Sequence, residues 1–232
     1  MKHIKPKNIF DNFALSMTKF FRFIADRFFA KRYGHRAVVL ETIAGVPGIV
    51  AGVCMHFKSL RSMKTGYGHY ISEMLAEAEN ERMHLMFFIE IAKPNWFERR
   101  LVLVAQFIFS IFYFLMFILF PRTSHRMIAY FEEEAVKSYN EYLELVENGI
   151  VENIPAPKIA IDYYKMKQDA KLSDLITNVR NDEIHHSETN HKFSDLDDNE
   201  IFADKKNLSL ANIIKSQNFS EKIIEMGISK KN

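Results

Sequence analysis

The sequence predicts an all-α fold, a four-helix bundle with two further amphipathic helices. Three observations carry this. Only 8 Gly and 6 Pro among 232 residues leave little material for tight turns, so the helices are long. Apolar residues recur at helical spacing over most of the chain. Two copies of Glu-x-x-His, Glu81/His84 and Glu183/His186, each follow a predicted helix that carries a glutamate, Glu41 and Glu132. A three-residue step on a helix is a rotation of roughly 300°, so each Glu and its His share one face, one turn apart. The order Glu, Glu-x-x-His, Glu, Glu-x-x-His divides the chain into two similar halves. Six such side chains on four inward-facing helices form the ligand set of a carboxylate-bridged two-metal site in a ferritin-like bundle.

The elements follow in order. Residues 9–29 read as an amphipathic helix, with Ile9, Phe13, Met17, Phe20, Phe21, Ile24 and Phe28 on its apolar stripe. Residues 36–64 form the second helix, stopping near Thr65-Gly66-Tyr67-Gly68, and residues 69–92 the third, ending before Pro94. Residues 101–120 are the most apolar stretch, bracketed by Arg99-Arg100 and Pro121-Arg122. Residues 123–148 make the fifth helix, closed by Asn148-Gly149. Pro155 and Pro157 open a short helix, and residues 172–192 form the last long one. The charged tail shows weak helical pattern at 208–214 and 223–228. This gives an arm and surface helix at 1–35, a bundle at 36–193 including the apolar helix 99–120, and a tail at 194–232.

Charge is informative by its distribution. Residues 1–36 hold nine basic residues (Lys2, Lys5, Lys7, Lys19, Arg22, Arg27, Lys31, Arg32, Arg36) against Asp11 and Asp26. A basic, Phe-rich start points to an anionic membrane surface rather than to nucleic acid, because the aromatics fall on a helical stripe. The stretch 101–120 is long enough to span a bilayer. Glu81 and His84 precede it and Glu132 follows it, so a shared site needs both flanking helices on one side of the membrane. A helix lying in one leaflet beside helix 9–29 satisfies this, which makes the protein monotopic. No secretory signal is evident, and the basic start also has the character of an organelle address. The single cysteine, Cys54, excludes an internal disulfide or a cysteine metal site.

Four carboxylates balance two divalent cations, and carboxylate with imidazole suits iron or manganese. Within Glu132-Glu133-Glu134, Tyr139, seven residues on, returns to the face of Glu132 within about 20°; if Tyr139 is a core tyrosine beside the metals, Glu132 is the ligand, the other reading being a core tyrosine with only a structural hydrogen bond. A third Glu-x-x-His, Glu188/His191, is rotated by roughly 140° from the second and points elsewhere. Glu41 shares its face with Gly45, Gly48 and Gly52, which permit close backbone approach. Asn80 and Asp182, each four residues before a ligand histidine, are candidate hydrogen-bond partners outside the metal shell.

At these residues the chain resembles the alternative oxidases, membrane-bound di-iron quinol oxidases. The matching stretches are Leu40-Glu41-Thr42-Ile43-Ala44-Gly45-Val46-Pro47-Gly48, Glu77-Ala78-Glu79-Asn80-Glu81-Arg82-Met83-His84-Leu85-Met86, Glu132-Glu133-Glu134-Ala135-Val136 and Asn181-Asp182-Glu183-Ile184-His185-His186. The resemblance covers about residues 20–193, and the Asn-Glu-Arg-Met-His segment resembles an alternative oxidase proper rather than a plastid terminal oxidase. It implies oxidation of ubiquinol coupled to four-electron reduction of dioxygen to water, insensitive to cyanide and without proton pumping. It implies two irons held by Glu41, Glu81, His84, Glu132, Glu183 and His186, with Tyr139 as a redox-active tyrosine. It implies a quinol pocket involving Arg22, Asp26, Arg36, Leu40, Glu134, Ala135 and Ser138, where Ser138 stands in place of the family's common Thr. A homodimer in a mitochondrial or mitochondrion-derived inner membrane, on the matrix face, is expected; a bacterial inner membrane is the alternative compartment. Plant members carry a regulatory cysteine in an N-terminal extension. Cys54 lies about 140° around the helix from Glu41, so no regulatory intersubunit disulfide is expected. The rival reading is a ferritin-like iron-handling protein, which would need neither the apolar stretch nor the basic helix.

Overall fold

The computed structural model describes residues 3–29, 33–63 and 66–203. Among these, eight α-helices follow in order: α1 Ile9–Phe29, α2 Tyr33–Ser62, α3 Gly68–Ala92, α4 Trp96–Leu119, α5 Pro121–Glu147, α6 Lys158–Tyr164, α7 Leu172–Asp195 and α8 Asp198–Ala203. Lys2, Lys31, Arg32, the Phe28 side chain and the weak patterns at 208–214 and 223–228 lie outside the described residues.

The bundle consists of two tightly packed pairs, α2 with α3 and α5 with α7, and these are the four helices that carry the Glu/His motifs. The α2–α3 approach depends on small residues: a Cβ at Gly48 would run into the Met74 carbonyl and Ala78. Gly45 lies against Glu81, so the backbone of α2 passes directly beside a motif residue of α3.

Local chemistry sets the boundaries. Helix α4 starts at Trp96 rather than at residue 99, because Asn95 and Glu98 form a reciprocal capping box: the Glu98 amide donates to Asn95 Oδ1 at 3.0 Å and the Asn95 amide to Glu98 Oε2 at 2.9 Å. The apolar stretch is thus the body of a longer helix. Helix α5 begins directly at Pro121, in the first helical turn, where a missing N–H costs nothing. Gly149, at φ 70°, takes the left-handed turn after α5. Helix α8 was not expected; it forms where Phe202 packs edge-on against Tyr67 and Asp198 accepts from the Tyr67 hydroxyl at 3.0 Å.

Helix α1 packs on α5, and α4 packs on α2 and α5. The two outer helices meet through Phe21, whose ring contacts Phe109 and Phe112 of α4 and Phe131 of α5. The stripe foreseen on α1 is therefore divided: Met17 and Phe21 are half-buried against the protein, while Ile9, Phe13, Phe20 and Ile24 are exposed. Helix α4 exposes Leu103, Val104, Phe107, Ile108, Ile111, Phe114, Leu115, Ile118 and Leu119. Helices α2 and α4 are both long and apolar enough to cross a membrane, but the apolar window of α2 is 56% buried and that of α4 only 28%.

Candidate metal centre

Each pair of helices delivers half of the cluster. Glu41 on α2 and Glu81/His84 on α3 face Glu132 on α5 and Glu183/His186 on α7, and all six side chains are buried. Donor atoms of Glu41, Glu81, His84 and Glu183 lie within 4.8 Å of one another. His84 Nδ1 is 3.4 Å from Glu41 Oε2, 3.6 Å from Glu81 Oε2 and 3.2 Å from Glu183 Oε1. His186 Nδ1 is 2.7 Å from Glu81 Oε1 and 3.7 Å from Glu183 Oε2. Glu132 is buried close enough to Glu183 and Glu81 for their charges to act on its carboxyl.

These atoms converge without satisfying one another. Glu41 Oε2, both oxygens of Glu81 and of Glu183, and Nδ1 of His84 and His186 are buried with no hydrogen-bond partner. A buried polar atom left unpaired costs roughly 1–3 kcal/mol, and more if charged. Seven in one place are uneconomical in a protein core unless a cation meets them. The protein alone compensates with protons. Burial, with Glu183 and Glu81 beside them, pushes the Glu41 and Glu132 carboxyls well above the usual range. Burial works against charged histidines here, yet the neighbouring carboxylates outweigh it and raise both His84 and His186. A divalent cation would displace those protons, so the donor set fits a metal site.

The outer hydrogen bonds differ from the expectation. Asp182 accepts from His84 Nε2 at 3.2 Å, across the α3–α7 contact, and does not serve His186 on its own helix. Asn80 bonds Asp182 at 3.0 Å rather than His84. With Nδ1 aimed at the cluster, Nε2 of His84 points out toward α7, where Asp182 stands. The Tyr164 hydroxyl donates to Asp182 at 2.6 Å and lies 2.9 Å from His84 Nε2, while Tyr163 accepts from Asn80 at 2.9 Å. Sequence reasoning missed both tyrosines, because the seven-residue α6 has no periodicity to reveal its inner face.

It also missed a buried chain behind the cluster. Glu77, one turn before Glu81, accepts from Asn190 at 2.8 Å; Asn190 bonds His125 at 2.8 Å; His125 bonds the Tyr70 hydroxyl at 2.5 Å. Burial raises the Glu77 carboxyl to about 7 and lowers His125 to about 4. The i, i+4 spacing of Glu77 and Glu81 was the available signal. Glu188/His191 stays out of the cluster, as its rotation predicted: Glu188 is exposed, and His191 is buried against Glu133 at 2.9 Å and Arg126 at 2.6 Å.

Tyr139 donates a short hydrogen bond to Glu41 Oε1. Burial and the Glu41 carboxylate hold its phenol well above the ordinary value, so it remains protonated. Behind it a narrow cavity of about 20 Å³ runs between α2 and α5, lined by Arg36, Leu40, Glu41, Ala135, Ser138 and Tyr139, with Tyr33, Ala37 and Tyr142. That is room for about one water, so a quinol ring requires these walls to part. Arg36 donates to Ser138 at 3.0 Å and pairs with Asp26 at 2.6 Å. Arg22 donates to Ser138 at 2.8 Å and pairs with Asp26 at 2.9 Å and Glu134 at 3.0 Å. The seven residues expected at a quinol pocket thus form one connected group; Arg22, Asp26 and Glu134 stand behind the polar end of the cavity rather than lining it.

The fold and the buried Glu/His cluster define an all-helical protein with a candidate metal site between its helices. The alternative oxidase family model matches residues 1–195, and the chain belongs to that family. It is 50% identical over 195 residues to ubiquinol oxidase 2, mitochondrial, of Glycine max, covering 84% of this chain and 58% of the relative. Ubiquinol oxidase 1c, mitochondrial, of Arabidopsis thaliana is 50% identical over the same length, 84% of this chain and 59% of the relative. Ubiquinol oxidase 1a, mitochondrial, of Oryza sativa subsp. japonica is 49% identical over 84% of this chain and 58% of its own length. The chain therefore spans less than two thirds of these curated relatives.

Proposed function

We propose that this chain is a terminal quinol oxidase that oxidises two ubiquinols and reduces one dioxygen to two waters, without pumping protons. One observation carries the reading: Glu41 belongs to the metal cluster, accepts the Tyr139 hydroxyl and lines the cavity that Arg36 and Ser138 border. Reductant and metals would thus be one tyrosine apart. Glu41, Glu81, His84, Glu132, Glu183 and His186 are the residues to hold two irons, which would supply the multi-electron chemistry toward dioxygen. Arg36 and Ser138 bind and orient the quinol oxygen. Tyr139 holds a proton at its phenolic oxygen and relays it, with an electron, between the cavity and Glu41. Phe87, Phe88 and Val179 belong to the buried apolar core that keeps bulk water from this part of the bundle.

The exposed apolar faces of α1 and α4 support attachment within one leaflet, beside the basic residues Lys19 and Arg27 of α1. His84 and Glu132 lie on the helices that flank α4, in keeping with both ends of α4 on one membrane side. We assign the chain to the matrix face of a mitochondrial or mitochondrion-derived inner membrane, in line with the relatives' names. Ile49, Val53, Phe57 and Leu60 of α2 and Leu75 of α3 are exposed apolar residues that suit a second copy of the chain. An iron-storage role has no use for the cavity or the apolar α4 face. Quinol-dependent oxygen uptake that resists cyanide and disappears in Glu81→Ala tests the proposal; uptake retained in that variant contradicts it.

A further inference from the structure

The N-terminal strap ahead of α1 carries a histidine, His3, for which the proposed reaction has no use. His3 lies between two adjacent glutamates of α5, with Nδ1 2.5 Å from Glu133 Oε2 and Nε2 2.6 Å from Glu134 Oε1. Its ring stands edge-on to Tyr130, and the next residue's amide, Ile4, donates to Glu133 Oε1 at 3.1 Å. Glu133 is held from its far side by His191. Glu134 has no slack either. Its second oxygen, Oε2, accepts from Arg22 Nη1 at 3.0 Å, and the same Nη1 donates to Ser138 Oγ at 2.8 Å. Ser138 is a wall of the cavity. An unbroken series of polar contacts, His3 to Glu134 to Arg22 to Ser138, therefore joins the strap to the cavity.

We propose that His3 is a positioning residue for quinol binding: it fixes the Glu134 carboxylate, which holds Arg22 against Ser138 at the polar end of the cavity. The physical reason is anchoring. A carboxylate tied at both oxygens has one orientation, whereas one tied at a single oxygen can rotate and loosen its arginine, leaving Asp26 and the Glu134 main-chain carbonyl to hold it. An Arg on a four-bond stem loses much rotamer freedom when it is held, so ordering it in advance removes that cost from the binding step. A ring donor is needed because an ionised carboxylate only accepts. This inference rests on the quinol oxidase reading of the cavity.

The test uses the full-length, iron-loaded protein in liposomes, with a soluble quinol analogue and an oxygen electrode. His3→Ala raises KM for the quinol about five- to tenfold, the scale of one lost hydrogen bond, with kcat within about twofold and iron content unchanged. His3→Gln, which keeps an N–H donor, recovers most of the change. In parallel, trypsin cleaves after Lys7 several-fold faster in His3→Ala, which reports release of the strap without reference to activity. KM unchanged, KM and kcat falling away together with lost iron, or cleavage unchanged would each overturn the inference. A parent protein with no quinol-dependent oxygen uptake is a separate failure: it removes the oxidase reading, and this inference with it.

Discussion

Replacing Asp182 by Asn removes one charge and almost no volume, and it acts on the cluster through His84 alone. Asp182 Oδ2 accepts from His84 Nε2 at 3.2 Å, from the Tyr164 hydroxyl at 2.6 Å and from Asn80 at 3.0 Å. Burial opposes ionisation of Asp182, but these donors, His84 first, hold its carboxyl below the ordinary value, so the charge is present at neutral pH. A hydrogen bond to a charged group is worth about 1.5–3 kcal/mol and a neutral one about 1. Exchanging one for the other at His84 thus removes about 0.5–2 kcal/mol from the orientation and basicity of a candidate metal ligand. The expected result is a loss of metal affinity of roughly tenfold, within the range known for such outer partners. Competition of the metal-free protein with a chelator of known affinity for Co2+ or Mn2+ reads this directly. Tyr164→Phe, which removes one donor of three, weakens binding less. Affinity unchanged in Asp182→Asn, with the fold intact by circular dichroism, would refute the reasoning.

Three further outcomes are expected. Tyr139→Phe keeps iron content but lowers quinol oxidation by about 100-fold or more, the scale of a lost proton-transfer group; elemental analysis and oxygen uptake on one sample check it. Glu77 is raised to about 7 when folded against an ordinary 4.5, so its stability contribution is complete below about pH 4.5 and is lost as pH rises through about 7. At about 1.4 kcal/mol per pH unit, metal-free parent loses up to roughly 3 kcal/mol relative to Glu77→Gln between pH 5 and 7.5, measured by urea midpoints. Phe107 and Phe114 are exposed on α4. Changing both to Glu removes about 3–6 kcal/mol of apolar burial from a leaflet, and sedimentation with anionic vesicles shows the protein left in the supernatant.

Much of this arrangement was legible because helical spacing is a strong constraint. Two Glu-x-x-His pairs on separate long helices, each preceded by a glutamate helix, define four faces that have to converge; donor atoms from three of them, those of Glu41, Glu81, His84 and Glu183, lie within 4.8 Å of one another. Glu132 was singled out from Glu133 and Glu134 because Tyr139 returns to its face; in the structure Glu132 is buried beside Glu183 and Glu81, while the other two pair with His3, His191 and Arg22. What stayed hidden depends on contacts between distant segments. No local pattern connects Asp182 to His84, 98 residues apart, or His3 to Glu134, 131 apart. The start of α4 was misjudged for a different reason: the apolar run masked the Asn95–Glu98 cap that precedes it. Tyr163 and Tyr164 sit on a helix too short to carry a period, so only packing shows which way they face.

The account depends on six buried donors serving one dinuclear centre. Iron per chain, measured on protein grown with ample iron and purified without chelator, tests this most directly when paired with EPR of the partly reduced sample. Two irons per chain with a spin-coupled signal, both lost in Glu81→Ala, is the predicted result. A chain holding no iron, or a single uncoupled ion that survives Glu81→Ala, would contradict it.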